Sequence, residues 1–85
     1  MTVNFTIELS GVNFEFISMN RVRLQLYQVY THYEGKRTRF HMEIEADDKF
    51  HIKDQAACPD IYLPLETTMS DAILKLGEIK AHVLN

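Results

Sequence analysis

The stretch Asn20-Arg21-Val22-Arg23-Leu24-Gln25-Leu26-Tyr27-Gln28-Val29-Tyr30-Thr31-His32-Tyr33 decides the fold, because its apolar residues fit two periods at once. Wound as a helix, it gathers Met19, Val22, Leu26, Val29, Tyr30 and Tyr33 on one face, with Gly35 as a stop. Residues 19–34 would then be helical and the element order ββαββα. Extended as a strand, it alternates Val22, Leu24 and Leu26 with Arg21, Arg23 and Gln25, then shifts phase to Tyr27, Val29 and Tyr33, which calls for a bulge near Tyr27. A helix would strand Leu24 on its polar side. Val29, Tyr30, Thr31 and Tyr33 are β-formers, and Glu34-Gly35-Lys36 makes a turn into a strand starting near Arg37. The strand is therefore preferred, and it places Tyr27, Val29 and Tyr33 on an outer face among Arg21, Arg23 and Gln25.

Upstream, Val3, Phe5, Ile7 and Leu9 alternate with polar residues, and Val12, Phe14 and Phe16 repeat the pattern. A two-residue loop of Ser10 and Gly11 opposes Leu9 to Val12, Ile7 to Phe14 and Phe5 to Phe16, so every apolar side chain lands on one face. Downstream, Phe40, Met42, Ile44 and Ala46 alternate with Arg39, His41, Glu43 and Glu45, and Phe50 and Ile52 follow. A three-residue loop of Asp47, Asp48 and Lys49 keeps both apolar sets on one face by pairing Ala46 with Phe50 and Ile44 with Ile52. Glu45 then opposes His51 and Glu43 opposes Lys53. Lys49 is the awkward residue, since such loops favour Gly at their left-handed position.

Residues 55–67 hold both prolines, Pro59 and Pro64, and read as a crossover loop with a short edge strand at Ile61 to Leu65. A C-terminal helix follows, capped by Thr68 with Asp71 three residues on, and striped by Met69, Ala72, Ile73, Leu76, Ile79 and Val83. The expected fold class is α+β, an antiparallel meander of about five strands with one helix packed on one face.

Eighty-five residues suit a single domain, and 46% hydrophobic content with a net charge of -3 suits a folded chain. Cys58 is the only cysteine, so neither an internal disulfide nor a paired-cysteine zinc site can form. With no long apolar run and no signal-peptide pattern at the start, a cytoplasmic location without membrane contact is expected.

Charge is unevenly spread. Residues 20–41 carry Arg21, Arg23, Lys36, Arg37 and Arg39 against Glu34 alone, whereas the rest holds four basic residues and eleven acids. Tyrosines interleaved with those cations suit base stacking and phosphate contact, yet an overall pI near 5.7 argues against a nucleic-acid-binding domain. His41, Glu43, Glu45 and His51 would share one strand face, a donor set that suits zinc, but such residues are equally ordinary on an exposed strand, and no metal is expected. No nucleophile, base and orienting group can be assembled around Cys58, and no glycine-rich phosphate loop can be built, so neither catalysis, a cofactor nor a small-molecule substrate is expected.

Two surfaces remain. The outer sheet face, Arg21, Arg23, Tyr27, Val29, Tyr33, Arg37 and Arg39, mixes aromatic and guanidinium groups as interfaces do. A second helix stripe, Ser70, Leu74, Gly77 and Ala81, is small enough to admit a second backbone, as in a homodimer. The expected function is a small non-catalytic protein-interaction or regulatory module, with single-stranded nucleic-acid binding through residues 20–41 as the alternative.

Overall fold

A computed structural model of the chain describes residues 1–20 and 22–78. Five strands, β1 (Phe5–Leu9), β2 (Val12–Ser18), β3 (Leu26–Tyr33), β4 (Lys36–Ile44) and β5 (Phe50–Ile52), form one antiparallel sheet in sequential order. Two short 3-10 helices, Gln55–Ala57 and Asp60–Leu65, lead into the helix α1 (Glu66–Leu76). This is the expected α+β meander.

The first hairpin pairs Phe5 with Phe16, Ile7 with Phe14 and Leu9 with Val12, as parity required. Ser10 and Gly11 turn with φ of 53° and 79°, the left-handed pair whose twist matches that of the flanking strands. The same geometry recurs at Glu34 and Gly35, where φ is 52° and 77°, so β4 begins at Lys36.

The residues that decided the fold are extended from Leu26 onward and therefore not helical. Arg23 and Leu24 lie in a bend, so the alternation of Val22, Leu24 and Leu26 does not belong to a strand. The change of phase at Tyr27 falls at the start of β3, which opens with Leu26; no bulge absorbs it. Tyr27, Val29 and Thr31 point inward, and Val22 is left 84% exposed.

In the last hairpin Ile44 pairs with Phe50, Glu43 with His51 and Met42 with Ile52, two residues away from the expected register. A shift of two preserves which face each side chain takes, so the apolar set still faces inward. The longer loop also removes the difficulty at Lys49. It puts the left-handed conformation on Asp48, with φ 61°, a residue type that tolerates it. The amide of Asp48 donates to the Glu45 carbonyl at 2.9 Å.

Ile61 to Leu65 is 3-10 helix, where an edge strand was expected. Pro59 and Pro64 cannot donate to a ladder but fit a tight helical entry. The turn drives the Tyr62 ring edge-on against Phe14 at 5.0 Å, and its hydroxyl donates to the His32 carbonyl at 2.8 Å. Because this turn is already helical, α1 begins at Glu66 with Leu65 at its cap position, and Thr68 lies inside the first turn, not at the cap.

The core sits between α1 and the inner sheet face. Phe14, Phe16, Tyr27, Val29, Phe40, Met42 and Phe50 meet Met69 and Ile73 there. Burial of each large apolar side chain is worth about 1.5–3 kcal/mol. The helix stripe departs from expectation at Leu76, which is 45% exposed, while Ile79 and Val83 lie outside the described residues. No described helix is long and apolar enough to cross a membrane.

Candidate functional site

Strand alternation turns the other half of each strand outward, and the described helices leave that face open. Its centre is a row in which Thr6 pairs with Glu15, Glu15 with Tyr30, and Tyr30 with Arg39. Beside it Glu8 pairs with Asn13 and His32 with Arg37. The Arg37 guanidinium lies 4.4 Å from the centre of the Tyr30 ring, and its Nη2 is 3.7 Å from Glu15 Oε1. The Tyr30 hydroxyl donates to Gln28 Oε1 at 3.2 Å. Tyr30 is thereby held from its edge and its face, so this ring and the Arg37 guanidinium over it are ordered before binding. A shallow depression of about 240 Å³ lies over this group, lined by Thr6, Asn13, Glu15, Tyr30, His32 and Arg37 among others. Arg39 makes no ion pair among the described residues, so its charge is available.

The structure separates the seven sheet-face residues expected from sequence. Arg37 and Arg39 do share the outer face. Tyr27 and Val29 are fully buried in the core, which corrects their placement on it. Tyr33 lies on the inner side at the rim, 36% exposed and edge-on to Tyr62 at 5.8 Å. Arg23 is exposed in the bend before β3, and Arg21 lies outside the described residues. Tyr30, Glu15 and His32 were missed. For Tyr30 and His32 the signal was the Glu34-Gly35 loop: counting back from it opposes Tyr30 to Arg39 and His32 to Arg37.

The expected dimer stripe on the helix is also divided. Ser70 is 2% exposed, its hydroxyl accepting a hydrogen bond from the Phe50 amide at 2.8 Å. Gly77 is buried at the end of α1, where its carbonyl accepts from the Tyr27 hydroxyl and the Val3 amide, both at 2.9 Å. A Cβ on Gly77 would stand 2.6 Å from the Tyr27 hydroxyl oxygen. Both residues are small because the molecule's own interior closes on them. Only Leu74 remains exposed, and Ala81 lies outside the described residues.

His41 and His51 are occupied individually, and His82 lies outside the described residues. The Asp54 carboxylate receives the His41 backbone amide at 2.7 Å and its ring Nδ1 at 3.0 Å. Burial pushes the Asp54 carboxyl up, but those hydrogen bonds outweigh it and hold the group below its ordinary value. His51 Nε2 meets Asp47 Oδ2 at 2.8 Å, and its Nδ1 lies 3.5 Å from Glu66 Oε1. The Asp47 contact raises the His51 pKa and, reciprocally, the imidazole lowers that of Asp47. Among the described residues no group of three or more such side chains converges as a metal site. Burial pushes the Cys58 thiol up to about 11, so it is protonated at neutral pH and a poor nucleophile.

Comparison of the chain with protein-family models, with curated proteins and with solved structures finds no significant match.

Proposed function

We propose that the protein is a small non-catalytic interaction module whose outer sheet face engages another protein. One observation carries this: the Arg37 guanidinium stacked on Tyr30 and tied to Glu15, with Arg39 directly across from the same ring. Aromatic and Arg side chains ordered before binding contribute most where water is excluded, and they lose little entropy on association. The half-buried Ile17 and Leu26 on the same face add apolar area beside them. The uncompensated Arg39 favours a partner presenting a carboxylate opposite it.

A nucleic acid is the weaker candidate. Of the tyrosines in residues 20–41, Tyr30 alone lies on the outer face, and Arg37 already covers its ring. The test is capture of partners from native lysate by tagged protein, with and without nuclease, beside the variants Tyr30→Ala and Arg39→Glu. A protein that survives nuclease and is lost from both variants supports the proposal. Capture unaffected by either substitution, or abolished by nuclease, overturns it.

A further inference from the structure

The two edges of the sheet are finished differently. At β5 the outward backbone amides are those of Phe50 and Ile52, since Lys53 and Glu45 bond inward to His41 and Lys49. Both are closed by α1: Ser70 Oγ accepts from Phe50 at 2.8 Å and Glu66 Oε2 accepts from Ile52 at 2.8 Å. At β1 the two-residue loop makes Leu9, Ile7 and Phe5 the residues bonded to β2, so the backbone groups of Thr6 and Glu8 face outward. Neither finds a backbone partner among the described residues. Phe5–Leu9 contains no Lys, Pro or bulge to blunt a free edge, and Glu8 is its single charge. Its inner side is apolar, with Phe5, Ile7 and Leu9 half-buried. Leu9 continues into a cleft of about 240 Å³ lined with Val12, Tyr33, Ile61, Tyr62 and Leu65, where Ile61 is 65% exposed.

We infer that β1 is a pairing edge and that its occupant is β1 of a second copy of this chain. Charge selects the register. The outward groups of one copy must meet those of the other, so Thr6 and Glu8 pair among themselves in an antiparallel two-fold arrangement. Centring on Glu8 would set two carboxylates directly opposite each other, which is unfavourable. Centring on Thr6 sets Leu9 against Val3, which precedes β1 and whose amide is already bonded to Gly77. Centring on Ile7 pairs all five residues: Thr6 lies opposite Glu8 of the second copy, twice, so each hydroxyl can donate to a carboxylate. Phe5 of one copy then lies across from Leu9 of the other, at the mouth of that copy's apolar cleft.

This inference does not rest on Tyr30, Arg37 or Arg39, and its test reads self-association instead of capture. Light scattering on the full chain over a concentration series should show a reversible dimer. Thr6→Lys sets two Lys–Glu pairs across the two-fold and should tighten the dimer by about 2- to 30-fold, while Thr6→Glu should weaken it by a similar factor. Thr6→Pro, which removes an outward amide that β2 does not use, should leave the chain monomeric. Circular dichroism checks that each variant is folded; if the proline variant is not, the two charge variants still decide. A wild type monomeric at every concentration overturns the inference. So does a dimer indifferent to the charge at residue 6, which would place the contact elsewhere.

Discussion

Tyr27 and Gly77 form one device. A single phenolic hydroxyl lies 3.0 Å from the Val3 carbonyl and 2.9 Å from that of Gly77, which ties the start of the chain and the end of α1 to the middle of the sheet. Tyr27→Phe removes the one proton shared between these carbonyls, leaving that of Gly77 with the Val3 amide alone, and should cost about 1–3 kcal/mol of stability, read as a lower urea midpoint. Gly77→Ala should cost a comparable amount, about 1–3 kcal/mol, because its Cβ would press on the Tyr27 oxygen and on Leu24 at 3.0 Å. Without a structure, a small residue in a helix stripe looks like room for a partner. Here the partner is a tyrosine fifty residues earlier in the chain, a separation that local periodicity does not report.

The β4–β5 hairpin, held by α1 and by its own loop, is where pH enters. His51 is raised by Asp47, so its contribution is complete below the unfolded value and fades as pH rises through the raised folded one. Asp47, lowered by His51, and Glu45, lowered by Lys53, act in the opposite sense and lose theirs as pH falls through their depressed values. The ring signals of His51 followed by NMR should titrate above the ordinary histidine value, and Asp47→Asn should bring them down. Ser70→Ala leaves the buried Phe50 amide unsatisfied and should lower stability by about 1–3 kcal/mol in urea unfolding. At this scale the sequence was most legible. Period-two alternation with a two-residue turn determines a register outright, as at Ser10 and Gly11. Where the turn length was open, between Ile44 and Phe50, faces came out right and the register two residues off, because parity fixes only the face. The outer-face site was half visible for a related reason. Arg37 and Arg39 were placed correctly, but a strand start set too early, in the bend at Arg23, sent Tyr27 and Val29 to the wrong side and hid Tyr30.

For the molecule as a whole, folding brings acidic residues in beside the basic run of residues 20–41. Glu15 from β2 sits against Arg37, and Glu43 lies across from Leu26. No oligonucleotide should shift in a mobility assay at low salt. Binding whose log affinity falls by about 0.7 per phosphate contact per log unit of salt would reverse that expectation. The unequal sheet edges bear on polymer growth. A sheet open on both sides can add copies without end, as cross-β fibres do, whereas one sealed on one side can pair once and then has nothing left to offer. Ser70 and Glu66 therefore do more than support β5: by occupying its two outward amides under α1 they leave that edge nothing to offer a further copy.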